Sequence, residues 1–158
     1  MTLRVLDTPF GPLTVVASRG AVVASGFRPP RAQESAGSVD DDRFLDQVAR
    51  AVAEWASGID LGALDRVPVI LPDAGFREQV WRAMRDVPPG ATSSYGSVAA
   101  SAGRPGAARA AGTACATNPV APFVPCHRIV LSDGRLGGYG YGSQLKAALL
   151  EHEGAQFR

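Results

Sequence analysis

The stretch TSSYGSVAASAGRPGAARAAGTACAT, residues 92–117, decides the fold. Thr92-Ser93-Ser94 offers hydroxyls that can cap a short helix running through Ala102, and Gly103 can stop it. A second helix follows from Gly106 to about Thr117. Two short helices joined by a Gly-containing turn predict a helix-turn-helix. The second helix is composed almost wholly of small residues, with Ala108, Gly112 and Cys115 on one face and Arg109 beside them. Small side chains let a helix backbone approach a partner closely. That partner is either another helix or a nucleic-acid groove into which Arg109 reaches.

Towards the N-terminus, Phe76, Val80, Trp81, Met84 and Val87 recur at helical spacing and are ended by Pro88-Pro89-Gly90. Val67–Leu71 reads as a strand, and a junction between two domains falls near Leu71–Ala74. Before it, Asp40–Asp42 can cap a helix that runs to Ser57, with Gly58 at its end and Phe44, Val48, Val52 and Trp55 on its buried face. Arg28–Asp42 is rich in Pro, Ser and Asp and reads as a surface loop. Leu3–Asp7, Leu13–Ala17 and Ala21–Phe27 are short Val-rich runs separated by Gly11-Pro12 and Arg19-Gly20, which predicts an antiparallel meander. The expected architecture is therefore α+β: a small antiparallel sheet with a helix over residues 1–72, then a mainly helical domain over residues 73–158.

Towards the C-terminus, Asn118–Pro125 holds three prolines and cannot be regular structure. Asp133-Gly134 marks a tight turn, and Ser143 is expected to cap a last helix ending at Gly154. Pro125-Cys126-His127-Arg128 is the strongest chemical feature. A thiolate is the best nucleophile among protein side chains, and an imidazole and a guanidinium follow it directly. Against this stands the ordinary fate of a free cysteine, which is to be a small buried hydrophobe. His127 and His152 are the only two histidines, and a carboxylate of Glu151-His152-Glu153 could orient an imidazole. Adjacent side chains rarely hydrogen-bond to each other, so His127 is expected to act on Cys126 through water. Two Cys and two His without paired spacing do not make a metal site. Gly138–Gly142 lacks the Gly-Lys-Ser/Thr ending of a phosphate loop, and that reading is rejected.

Composition agrees with a folded, water-exposed chain of 158 residues, 46% hydrophobic and 20% charged. No run approaches the roughly 18–20 apolar residues of a membrane span. The N-terminus has no basic start followed by an apolar block, and two cysteines make no disulfide framework, so a reducing, cytoplasmic setting is expected. Net charge is +1, but it is uneven: −2 over residues 1–72 and +3 over residues 73–158. The second half is mildly attractive to polyanions.

Ser94-Tyr95-Gly96, Ala107-Ala108-Arg109-Ala110, Asn118-Pro119, Val124-Pro125-Cys126-His127-Arg128-Ile129-Val130, Gly138-Tyr139, and Leu149-Leu150 with His152-Glu153-Gly154 occur in that order. Together they resemble the O6-alkylguanine-DNA alkyltransferases, also called methylated-DNA–protein-cysteine methyltransferases. The resemblance is strong from Phe76 to Gly154 and architectural before Asp73. It implies a ribonuclease-H-like N-terminal scaffold and a winged-helix-like C-terminal domain. It also implies a monomer without cofactor, acting through the minor groove on double-stranded DNA that carries O6-alkylguanine, with O4-alkylthymine a further substrate. The N-terminal half has no Cys/His set, so the structural zinc of some relatives is not expected. Cys126 takes the place of the alkyl acceptor, His127 of its water-linked base and Glu153 of the residue that orients His127. Asn118 resembles the hinge that braces the recognition helix. Arg109 resembles the finger that replaces a flipped nucleotide, and Tyr95 the residue that turns the target phosphate and helps hold the base. Ala107, Ala108 and Gly112 fall where the family presses its helix into the groove. Cys115, Ile129, Tyr139, Gly140 and Tyr141 fall around the substrate pocket, with Tyr141 expected to narrow its mouth. Two other classes compete: a lesion-binding sensor that accepts no alkyl group, and a cysteine hydrolase with no DNA role. Cys126 argues against the first, and Tyr95 and Arg109 against the second.

Overall fold

The computed structural model describes residues 1–34, 37 and 39–158, which form two compact units. The first comprises Met1–Leu71 with Pro119–Phe123, the second Pro72–Asn118 with Val124–Arg158. A single cut near residue 72 therefore misses one return of the chain.

In the first unit, β1 (Thr2–Leu6), β2 (Leu13–Ser18) and β3 (Ala21–Gly26) form the expected antiparallel meander in the order β1-β2-β3. Arg19-Gly20 joins β2 to β3 as a two-residue turn with both φ angles positive, 52° and 72°, the conformation whose twist matches a hairpin. β2 lies in the middle and is buried along Leu13–Ala17. Helix α1 (Val39–Ala56) turns Phe44, Leu45, Val48, Val52 and Trp55 inward, while Asp40, Asp41 and Asp42 face the positive end of its dipole. Part of the predicted loop 28–42 falls on Ser35, Ala36 and Ser38, which lie outside the described residues.

Val67–Leu71 is not a strand. It makes one parallel bridge, Val22 with Val69, in which Val22 donates to the Pro68 carbonyl and Ile70 donates to that of Val22. Pro68 has no N–H with which to extend a ladder. The returning Pro119–Phe123 segment makes a similar bridge, Ser25 with Val120, reinforced by Ser25 Oγ donating to the Ala121 carbonyl at 2.8 Å.

The second unit runs α2 (Phe76–Met84), β4 (Ser93–Ser94), α3 (Tyr95–Ser101), α4 (Ala108–Ala116), a 3-10 turn at Cys126–Arg128, β5 (Ile129–Val130) and α5 (Ser143–His152). Helices α3 and α4 are the predicted helix-turn-helix. Ser94 caps α3 by accepting from the Ser97 N–H at 3.0 Å. Gly103 and Gly106 take φ values of 96° and 86° in the turn between the helices. Trp81 fixes α2 against α4 by donating its indole N–H to the Ala114 carbonyl at 2.7 Å. β4 and β5 pair in parallel, Ser93 with Ile129 and Ser94 with Val130, which places the start of α3 beside the chain leaving Cys126. Ser143 does not cap α5; Gly142, at φ 98°, occupies that position and the serine begins the helix. Among the described residues no helix is long and apolar enough to cross a membrane.

Candidate active site

Cys126 opens the 3-10 turn that the three prolines before it lead into, and its side chain is 6% exposed on the wall of a cavity of about 400 Å³. Tyr95 from the start of α3, Gly112, Cys115 and Ala116 from α4, and Gly138, Tyr139 and Gly140 from the loop before α5 complete the lining. Asn118 spans the end of α4 and the turn: its backbone N–H donates to the Cys115 carbonyl and its side-chain amide to that of Val124 at 2.8 Å.

Behind Cys126 lies a buried charge chain. His127 Nε2 is 2.8 Å from Glu153 Oε1. Arg128 grips the same carboxylate with two prongs, Nε to Oε1 at 2.9 Å and Nη2 to Oε2 at 2.7 Å, and donates through Nη1 to the Val87 carbonyl. Both basic side chains and the carboxylate are fully buried. Burial alone would raise the Glu153 carboxyl, but hydrogen bonds from Arg128 and His127 hold it well below the usual carboxylate range. An ionised Glu153 accepts from Nε2–H, which leaves His127 Nδ1 as the basic nitrogen.

Burial pushes the Cys126 thiol up from its ordinary value, opposed by the Asn118 amide and the Lys146 charge. A thiol so placed needs a base to react. Cys115, on the same cavity, is pushed up to about 12 by burial and then by the neighbouring Cys126 charge. Tyr95 is likewise pushed up to about 12, chiefly by burial, and stays a hydrogen-bond donor.

The structure brings Cys126, Tyr95, Cys115, Tyr139 and Gly140 to one cavity, with His127 and Glu153 behind it, and Gly112, expected at the DNA groove, also lines that cavity. Two predicted pocket residues are not on its wall. Ile129 is fully buried in β5 and offers its carbonyl to Lys146. Tyr141 packs edge-on against Tyr139, ring centroids 5.4 Å apart, and so supports a residue of the wall. Arg109, Ala107 and Ala108 lie at the start of α4, away from the cavity. The Arg109 side chain is exposed, and Ala107 and Ala108 are half-buried.

Lys146 is a functional candidate the motif reading missed. It is fully buried, and its ammonium donates to the carbonyls of Ile129 at 2.6 Å, Leu136 at 2.5 Å and Gly138 at 3.1 Å. All three of its protons are thereby used, tying β5 to the loop that carries Gly138–Gly140. The signal was available: this is the only lysine of the chain, set three and four residues before Leu149 and Leu150 on the inner face of α5. Lys146→Met should orphan these acceptors and destabilise the protein by roughly 2–4 kcal/mol in chemical denaturation, at about 1–3 kcal/mol for each buried group left unpaired and less where water can enter.

Residues 75–155 match the family described as 6-O-methylguanine DNA methyltransferase, DNA binding domain. A methylated-DNA–protein-cysteine methyltransferase of Mycobacterium tuberculosis is 39% identical over 156 residues, covering 95% of this chain and 90% of its own. The chain belongs to the methylated-DNA–protein-cysteine methyltransferase family. Another methylated-DNA–protein-cysteine methyltransferase, from Mycobacterium leprae, is 36% identical with the same coverage. The solved Mycobacterium tuberculosis O6-methylguanine methyltransferase superposes with a TM-score of 0.76 at 32% identity, over 96% of this chain and 92% of that one. The Mycobacterium tuberculosis protein has also been solved in complex with DNA, and that structure gives the same TM-score, identity and coverage.

Proposed function

We propose that this methyltransferase repairs O6-alkylguanine in duplex DNA by moving the alkyl carbon from purine O6 to Cys126 Sγ, once per chain. The observation that carries the reading is the buried Cys126 on a base-sized cavity with the His127–Glu153–Arg128 chain directly behind it. O6 of a stacked guanine cannot reach an enclosed thiol, so the nucleotide must be extruded, at less cost when alkylation has already weakened its pairing. The thiol proton passes towards His127 Nδ1, and Glu153 stabilises the imidazolium that forms. Sulfur attacks the alkyl carbon in line as the C–O6 bond breaks. Guanine leaves with O6 as a carbonyl and takes up a proton at N1, so the thiol proton is accounted for. A thioether has no good leaving group, and the alkylated chain is the end product.

Residues 73–158 are the DNA-binding and acceptor part. Ala107, which caps α4, and Ala108 and Gly112 within it form the low surface that enters the minor groove. Tyr95, at the junction of α3 and the cavity, holds the extruded base. A thiol acceptor suits a reducing, cytoplasmic compartment. The deciding experiment is the mass of the Cys126 peptide after incubation with duplex DNA containing O6-methylguanine. A gain of one methyl group on Cys126 supports the reading, whereas an unmodified peptide with DNA retained describes a lesion sensor, and multiple turnovers describe a hydrolase.

The exposed Arg109 side chain makes no hydrogen bond or ion pair among the described residues, its carbonyl accepting from Thr113, and this leaves the guanidinium available to fill the gap of a flipped nucleotide. Arg109→Ala should slow repair of duplex DNA far more than reaction with the free O6-methylguanine base. Equal losses on both substrates would place Arg109 in the fold or the pocket instead.

A further inference from the structure

Among the described residues, two side-chain atoms beside the charge chain are buried with no hydrogen-bond partner: His127 Nδ1 and the Tyr139 hydroxyl. Buried polar atoms are rarely left unpaired in a folded protein, because each then loses the full value of its hydration. These two are complementary. With Glu153 ionised and bound to Nε2–H, Nδ1 is an acceptor, and a phenol can donate or accept. Tyr139 lines the cavity, yet its oxygen is shielded from solvent, so the ring faces the cavity while the hydroxyl turns into the protein.

We propose that the Tyr139 hydroxyl is a positioning residue of the proton relay, sharing one internal water with His127 Nδ1 and Cys126. An internal water needs two to four polar partners, and these three groups supply them. In the resting state the phenol donates to the water and the water donates to Nδ1. When Cys126 gives up its proton, the proton passes through the water to Nδ1, and the water then donates to the thiolate while still accepting from the phenol. The S–H bond breaks and an N–H bond forms, while tyrosine ends with the proton it began with. The groups acting on this hydroxyl fit such a place. Burial, then the charges of Cys126, Tyr141 and Glu153, push the phenol well above its ordinary value, so it never competes as a proton source. Glu153 is neutralised in turn by Arg128 and His127, and Lys146 and Asn118 act on Cys126.

This inference rests on Cys126 as the acceptor, so it is tested both with and without DNA. Tyr139→Phe keeps the ring and removes only the oxygen. Alkylation of the Cys126 peptide by iodoacetamide, followed by mass against pH, reads the thiol independently of any DNA substrate. Tyr139→Phe should slow both this reaction and methyl transfer from DNA by about tenfold at pH 7, the value of one lost hydrogen bond, and shift the pH profile upward. In a His127→Ala background the same substitution should have no further effect, because the relay is already broken. Thermal melting of each variant separates loss of fold from loss of the relay. A Tyr139→Phe protein that melts like the parent and keeps its rate and pH profile overturns the proposal. So does one that is slowed equally in both backgrounds, which would make Tyr139 a wall residue only. If the parent takes no methyl group from DNA but the iodoacetamide results hold, the repair reading fails and the relay stands.

Discussion

Cys126→Ala should abolish alkyl uptake completely while leaving binding to duplex DNA largely intact. The reason is chemical and geometric together. Cys115 shares the cavity, but burial pushes its thiol up to about 12, and it lacks the Asn118 amide that acts at Cys126 and the adjacent His127 of the proposed relay. It therefore cannot substitute as acceptor at neutral pH, where its thiolate fraction is negligible. The surface assigned to DNA, on α3 and α4, is untouched by removing one sulfur from the cavity wall. Peptide mass after exposure to O6-methylguanine DNA, with a gel-shift titration alongside, checks both halves. A methyl group found on Cys115 in the variant would sink the assignment.

Glu153→Ala should be the most damaging substitution for the fold. It strips the partner from an Arg128 that is fully buried and leaves His127 Nε2 unpaired, and breaking a buried pair by removing one member costs about 3–5 kcal/mol. For a chain of this length that corresponds to a melting temperature lower by on the order of 10 °C. The conservative Glu153→Gln keeps the shape and one acceptor, so it should fold, yet slow alkyl transfer by roughly 10²–10⁴-fold through the loss of a correctly oriented base. Its pH dependence has a definite sign. A carboxyl depressed in the folded state stabilises the fold fully above its ordinary value of 4.5 and loses that contribution as pH falls towards the folded value. The stability difference between the parent and Glu153→Gln should therefore be constant near neutrality and shrink below about pH 4.5. A difference independent of pH down to 3 would mean the carboxylate is not the group that holds Arg128.

Much of the molecule is legible along the chain because its causes are local. Arg19-Gly20 makes a hairpin turn from two residues, Ser94 caps α3 from three residues away, and Asn118 closes α4 through its own neighbours. Cys126 stands out because adjacent residues of unlike chemistry, His127 and Arg128, are unusual in an apolar run. Val67–Leu71 misleads for an equally physical reason. A run of apolar residues there reads as a strand, but only Val67 is buried, Ile70 is exposed, and the ladder would need an N–H that Pro68 lacks.

Residue type and spacing within a turn or two of chain were enough for the helix-turn-helix and the meander, and they singled out Cys126 with His127 beside it as the candidate chemistry. The family resemblance named Glu153 as the partner of His127, but what Arg128 does was left to the tertiary structure, because Glu153 lies 25 residues away and reaches it through packing of α5. Tertiary structure likewise decided that the lone lysine is a buried clamp, that Tyr141 packs edge-on against Tyr139, and that the Tyr139 hydroxyl faces inward. These are matters of which atoms lose water and which neighbours compensate them. That balance is set by three-dimensional contact between distant segments, and no pattern along the chain encodes the distance of an atom from solvent.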